Sequence, residues 1–247
     1  MAEDIVVVRI KRQERITAKP HWEEFHLLYR PYMNVITLLQ EIQKNPRTFD
    51  SRKTTPVAWE QSCLEEICGS CTMLINGRVR QACSALVDKL SREITLAPMS
   101  KYPVVRDLVV NRRSIFENFK RVKAWVATEV DLKGPGPKIS PELAEARYQM
   151  SKCMTCGCCI EACPQVNERT EFMGPAQINQ VRLFNTHPIG AQLKRDRLLA
   201  VMGLGGIEDC GNAQNCVKVC PKGIPLVQSI IETNRDISIN LLNLIKK

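Results

Sequence analysis

Long apolar runs are missing from this 247-residue chain. Nowhere do about 18 apolar residues follow one another, so no segment is expected to span a bilayer. The opening residues, MAEDIVVVRIKRQ, start acidic and hold only a short apolar stretch, which does not read as a signal peptide. There is no G-x-G-x-x-G dinucleotide fingerprint, no P-loop and no H-E-x-x-H metalloprotease motif. Histidine is scarce: His21, His26 and His187 are scattered, and none is expected to be a metal ligand or an acid–base group. Aromatic residues make up only 5% of the chain and do not alternate with basic ones, and no block of five or six like charges occurs. A nucleic-acid partner is therefore not expected, in spite of a formal net charge of +9.

What the chain does have is cysteine, twelve in all. A chain without secretory signals is not expected to lock them into disulfides, so metal ligation is the leading reading. Ligation also revises the charge. Eleven thiolates and three oxidised iron–sulfur clusters would bring in roughly −6 and leave about +3.

The most telling stretch is Cys153-x2-Cys156-x2-Cys159-x3-Cys163-Pro164, the spacing by which bacterial ferredoxins clasp a cubane cluster. A second run, Cys210-x5-Cys216-x3-Cys220-Pro221, repeats it with one cysteine missing, because Ala213 stands three residues after Cys210. In two-cluster ferredoxins the last cysteine of each run ligates the other run's cluster. Applied here, Cys153, Cys156, Cys159 and Cys220 would hold a [4Fe-4S] cluster. Cys163, Cys210 and Cys216 would hold the second with only three thiolates, and a corner without a thiolate predicts [3Fe-4S]. Cys158 fits neither spacing and reads as a small buried hydrophobe.

Upstream, Cys63-x4-Cys68-x2-Cys71 followed by Cys83 is the plant-type spacing of a [2Fe-2S] cluster. Gly69 gives backbone freedom where the loop must wrap the cluster. Asn76-Gly77, between two strand-like runs, predicts a hairpin that returns Cys83 to the loop. A zinc site is the alternative for these four thiols, but zinc favours paired C-x2-C knuckles and only one is present.

The remaining pattern predicts a two-domain α+β chain. Residues 5–10 read as a strand with most of both faces covered, residues 25–29 as its partner, and Asn34 as the cap of a helix stopped by Asn45-Pro46. A boundary is placed between residues 108 and 109. Beyond it, Phe116, Phe119, Val122 and Trp125 fall at helical spacing and predict a buried stripe. Gly134-Pro-Gly-Pro137 predicts a loop, and Ser140-Pro141 the start of a helix. Residues 175–185, 194–202 and 225–234 read as further helices.

Taken together, the order of these motifs, Cys63-Leu-Glu-Glu-Ile-Cys-Gly-Ser-Cys71, Gly174-Pro175-Ala176 and Asn215-Cys216-Val217-Lys-Val-Cys220-Pro-Lys-Gly223 make the chain resemble a known family over essentially its whole length. It is similar to the iron–sulfur subunits of succinate:quinone oxidoreductase (complex II) and quinol:fumarate reductase. The resemblance implies a β-grasp ferredoxin domain over residues 1–108 and a helical, bacterial-ferredoxin-like domain over residues 109–247. It implies single electrons relayed between a flavin and a quinone through [2Fe-2S], [4Fe-4S] and [3Fe-4S] in turn. The succinate/fumarate site and its FAD would lie on a partner flavoprotein. A second partner, a membrane-anchor cytochrome b carrying haem b, would meet the quinone and hold this chain peripherally at the cytoplasmic face of the cell membrane.

Many ubiquinone-reactive members carry tryptophans shortly after the first C-P and a histidine after the first cysteine of the second run. Here those stretches read Pro164-Gln-Val-Asn167 and Cys210-Gly211, which resembles the menaquinone-reactive, dihaem group instead. Two readings from other classes stand beside this one: the iron–sulfur subunit of a soluble complex reducing a thiol-linked or heterodisulfide substrate, and a zinc-stabilised interaction module.

Overall fold

The computed structural model describes residues 4–126 and 136–245, and divides into compact units spanning residues 1–112 and 113–247. Gly134 and Pro135 of the expected loop lie outside the described residues, while Gly136 and Pro137 have no regular structure.

The first unit is a mixed sheet with one helix across it. Strands β1 (Ile5–Arg12), β2 (His21–Leu28), β3 (Thr72–Ile75), β4 (Arg78–Gln81) and β5 (Glu93–Ala97) lie in the order β2-β1-β5-β3-β4. β1 pairs antiparallel with β2 and parallel with β5, the arrangement of a β-grasp. The sequence predicts most of both faces of β1 covered, yet burial alternates along it: Val6, Val8 and Ile10 are inside, Val7 is half-buried, and Ile5 and Arg9 face solvent. A continuous β-branched run thus forms a strand with one core face, because the single helix covers only that side.

That helix, α1 (Val35–Lys44), starts where Asn34 Oδ1 accepts the Thr37 N–H at 2.9 Å and ends at Asn45 before Pro46. Its Val35, Leu38, Leu39 and Ile42 pack into the core with Phe25, Ile94 and Leu96. The Asn76-Gly77 hairpin forms as expected, with φ of 49° and 72° at the two turn residues. Both values lie in the left-handed region that this tight turn requires. Two short strands, β6 (Val104–Arg106) and β7 (Val109–Val110), pair with each other.

The second unit is helical: α2 (Arg113–Arg121), α3 (Pro141–Ser151), α4 (Cys158–Glu161), α5 (Pro175–Asn185), α6 (Lys194–Met202), α7 (Asn215–Lys218) and α8 (Leu226–Ile245). Ser140 caps α3, its hydroxyl accepting the Leu143 N–H at 3.3 Å with proline at the first helical position. α5 and α6 have the bounds read from the sequence, whereas α8 runs eleven residues past its expected end at residue 234. The core gathers Val122, Phe172, Met173, Ile178, Val181, Leu198, Val201 and Ile237. Among the described residues no helix is long and apolar enough to cross a membrane.

The aromatic stripe of α2 is a correction. Val122 is fully buried, but Phe116 and Trp125 are 53% and 45% exposed. The helix stops at Arg121, and Lys123 turns left-handed at φ 50°, so Trp125 leaves the helical period. The buried face is carried by Ile115 and Val122 instead. Just beyond, the buried Arg197 guanidinium binds the Lys123 and Trp125 carbonyls at 2.9 and 2.7 Å and fixes that exit.

One buried ionic cluster ties the first unit together. Arg12 donates to Glu23 at 2.5 Å, to Asp107 at 3.0 Å and to the Thr55 carbonyl at 3.1 Å. Asp107 also accepts the N–H groups of Gln13 and Ala58, so it joins three distant stretches of chain. Arg12→Met is expected to lower stability by about 3–5 kcal/mol, because it strands two buried carboxylates. Urea unfolding checks this, and a loss under about 1 kcal/mol would mean that the carboxylates find other partners.

Candidate metal centres

In the first unit, the loop from Cys63 to Cys71 is built from left-handed turns. Leu64, Glu66 and Gly69 have φ of 62°, 55° and 75°. Interleaving such residues with right-handed ones turns successive N–H groups inward into an anion-binding nest. The sulfur of Cys63 accepts the N–H groups of Glu65, Ile67 and Cys68 at 3.4, 3.3 and 3.3 Å. Cys68 Sγ accepts those of Cys63 and Ser70, both at 3.5 Å. Burial works against the Cys68 thiolate, but these donors outweigh it and bring its pKa down to about 6.

Cys71 and Cys83 form a second, deeper pair. Burial, together with the neighbouring Cys83 thiol, pushes Cys71 up to about 12. The hairpin of β3 and β4 returns the chain so that the Ala82 N–H donates to the Cys71 carbonyl at 3.1 Å. Asn34, the cap of α1, also donates to the Cys83 carbonyl at 3.0 Å, which couples the helix start to this corner. Two thiol pairs, Cys63 with Cys68 and Cys71 with Cys83, suit two tetrahedral irons that share sulfides.

Several braces of this loop left no trace in the cysteine spacing. The Arg112 guanidinium binds the Gly69 and Ser70 carbonyls, each at 2.8 Å, and Glu60 at 2.7 Å. Ser84 Oγ donates to Glu66 at 2.5 Å. A non-glycine residue at positive φ carries no sequence signature of its own, and neither does an arginine forty residues away. Only the Asn-Gly turn announced itself.

In the second unit the cysteines ring two cavities. One is lined by Cys153, Cys156, Cys159 and Cys220, with Ile115, Ile160, Ile224 and Leu226 as an apolar wall. The other is lined by Cys163, Cys210 and Cys216, with Ala213, Pro164 and Phe172. Each run thus sends its last cysteine into the other run's cavity. The short helices α4 and α7 make the exchange, and Asn215 Nδ2, donating to the Ala162 carbonyl at 3.1 Å, ties the runs together. Left-handed turns recur at Thr155, Asn212 and Gln214. Gly157 at φ 87° precedes α4, and Gly174 at φ 106° leaves no room for a Cβ, which would sit 2.9 Å from Ile160 Cγ1.

Electrostatics separate these thiols from ordinary ones. Burial, then the neighbouring cysteines, lifts Cys159 well above the usual thiol value, lifts Cys153, and pushes Cys216 up to about 11. Such thiols ionise only against a strong local positive charge, which iron would supply on binding as protons leave. The all-thiol linings of four and three cysteines fit iron–sulfur clusters.

Cys158 is 1% exposed and sits in the wall of the first cavity, as expected for a buried hydrophobe. His21 and His26 of β2 are both exposed. His187 Nδ1 accepts the Ile189 and Gly190 N–H groups at 3.1 Å, and burial followed by nearby Arg147 lowers its pKa. It is a neutral, structural histidine.

The contrast within the first loop is open to chemical test. In chain freed of iron by chelation, iodoacetamide at pH 7 is expected to label Cys68 ahead of Cys71, because the first is mostly thiolate and the second a thiol. Below pH 6 Cys68 protonates and its lead should vanish. Equal labelling of both at pH 7, read by peptide mass spectrometry, would contradict the donor arrangement.

Comparison with known proteins places this geometry. Residues 5–117 match the family described as 2Fe-2S iron-sulfur cluster binding domain, and residues 149–224 the 4Fe-4S dicluster domain. The chain is 54% identical over 229 residues to the succinate dehydrogenase iron-sulfur subunit of Bacillus subtilis, spanning 92% of this chain and 90% of that one. It is 32% identical over 228 residues to the fumarate reductase iron-sulfur subunit of Wolinella succinogenes, spanning 90% and 92%. A chain of the Mycobacterium smegmatis Sdh1 complex in the apo form shares the fold, with a TM-score of 0.78 at 21% identity over 97% of this chain and 98% of that one. The whole-length identity, with both cluster domains in order, makes this chain a member of the family of succinate dehydrogenase and fumarate reductase iron–sulfur subunits.

Proposed function

We propose that eleven cysteines hold three clusters in this electron-transfer subunit. Cys63, Cys68, Cys71 and Cys83 take [2Fe-2S]; Cys153, Cys156, Cys159 and Cys220 take [4Fe-4S]; Cys163, Cys210 and Cys216 take [3Fe-4S]. The observation that carries this reading is the crossing of Cys163 and Cys220 between two cavities, with Ala213 in the one that has three thiols. Bound, the clusters supply one-electron relay between a flavin and a quinone. The chain's own residues set the terms of that relay. Inward N–H groups of the Cys63–Cys71 loop favour negative charge on the sulfurs. Apolar walls of Ile115, Ile160, Ile224 and Leu226 keep water from the four-thiol cavity.

The chain works as one subunit of a succinate dehydrogenase complex. Beyond that, the proposed partners are an FAD-carrying flavoprotein, which holds the dicarboxylate site, and a membrane-anchor cytochrome b that meets the quinone. The anchor would hold this chain at the cytoplasmic face of the cell membrane. The stretches Pro164-Gln-Val-Asn167 and Cys210-Gly211 lack the tryptophans and the histidine that many ubiquinone-reactive relatives carry there, which supports menaquinone as the electron partner. Whole-length identity with a succinate dehydrogenase subunit weighs against the heterodisulfide alternative.

Iron and sulfide quantitation on anaerobically purified complex should give about nine irons per chain, with a three-iron resonance when oxidised and a two-iron resonance on reduction. Zinc without iron would sink the assignment. Ala213→Cys should let the three-thiol site accept a fourth iron, and an unchanged three-iron signal in that variant would count against the ligand set. Cys83→Ala should remove the two-iron signal and spare the other two.

A further inference from the structure

Resting on the ligand assignment above, we infer that Gln81 is a side-chain donor to the Cys71 sulfur that raises the reduction potential of the two-iron cluster, and that Thr72 positions it. The three side chains adjoin at the end of the β3–β4 hairpin, and all are essentially buried, with Gln81 at 1%, Thr72 at 3% and Cys71 at 4% exposure. Cys71 Sγ lies 3.6 Å from the Gln81 amide oxygen, a contact in which the thiol donates. Ligated to iron, Cys71 is a thiolate with no proton to give, and an amide oxygen against it is repelled.

Turning the amide by 180° removes the conflict. Nε2 then donates to sulfur, and Oε1 needs a donor in turn. Thr72 Oγ1 can supply it, because it lies 2.8 Å from one end of the amide and 3.1 Å from the other. The hydroxyl now donates to the Gly69 carbonyl at 2.7 Å and would exchange that acceptor for the amide oxygen. Ligation of one sulfur to iron thus sets the orientation of a buried pair.

The energetic consequence has a definite sign. Apart from the Ser70 side chain at Cys68, the other sulfur donors described in this loop are backbone N–H groups, which nearly any residue supplies. Gln81 is a donor the sequence can add or remove. The step it biases adds one electron to the cluster while no bond breaks and no proton moves. An N–H donor stabilises the more negative, reduced state, so it raises the potential.

The test uses Gln81→Met, Thr72→Val and Thr72→Ser in the full chain assembled in its complex, with redox titration followed by electron paramagnetic resonance. Gln81→Met should shift the two-iron couple roughly tenfold toward the oxidised form, a fall of about 59 mV for one electron. The other clusters should not move and serve as the internal reference. Thr72→Val should also lower the potential, and Thr72→Ser, which keeps the hydroxyl, should restore it. A merely structural role for Gln81 would change melting without moving the potential. A fully assembled Gln81→Met cluster at the unsubstituted potential overturns the inference. Should that variant fail to assemble, Thr72→Val decides: an unchanged potential overturns, a lowered one restored by serine supports. Absence of any two-iron signal in the unsubstituted protein would instead overturn the ligand assignment.

Discussion

Thiolate in a dry interior is the constraint on which this structure depends. A buried thiol prefers to stay protonated, and Cys71, Cys159 and Cys216 all have their ionisation suppressed by burial. The chain offsets that cost in two ways. At the exposed edge of the first loop it aims backbone N–H groups at sulfur, enough to carry Cys68 below the usual thiol range. Deeper in, it relies on the charge of the iron itself, which makes cluster loading part of the stability of the second unit.

That division of labour follows from how each unit is cored. The first unit has a sheet and helix core of Val6, Val8, Ile10, Leu38, Leu39 and Leu96, which two of its four cysteines, Cys71 and Cys83, join. Its cluster loop is braced by Arg112, and the stretch leading into it by Asp107 of the Arg12 network, which accepts the Ala58 N–H. In the second unit the cysteines are core residues. Cys163 packs with Phe172 and Val181, while Cys153, Cys159, Cys216 and Cys220 form a small cluster with Ile224 and Leu226.

The sequence was most legible where a single residue type is forced by chemistry. Cysteine spacing picked out the thiols that line the two cavities of the second unit, Asn34 and Ser140 announced helix starts, and Asn76-Gly77 the hairpin. It was least legible where geometry arises from strain or distant partners. Leu64, Glu66, Thr155, Asn212 and Gln214 adopt left-handed backbone that no propensity suggests, because the demand comes from the enclosed sulfur and not from the side chain. The aromatic period through Trp125 misled for a related reason. A left-handed Lys123, held by Arg197 from more than seventy residues away, ends the helix before the period is complete. Periodicity describes a helix that continues, and gives no warning of a stop imposed from outside.

The crossing of Cys163 and Cys220 has a consequence for how the second unit holds together. Were each run to serve its own cavity, either site could empty without loosening the other. With the crossing, emptying the three-thiol cavity frees Cys163, which follows α4, and with it the anchor of the first run. Emptying the four-thiol cavity frees Cys220 just ahead of α8, whose packing on α5 closes the helical core. The first unit has no such crossing, since Cys63, Cys68, Cys71 and Cys83 all belong to one loop and its hairpin. Sensitivity to loss of iron should therefore be shared between the two cavities of the second unit, and local in the first.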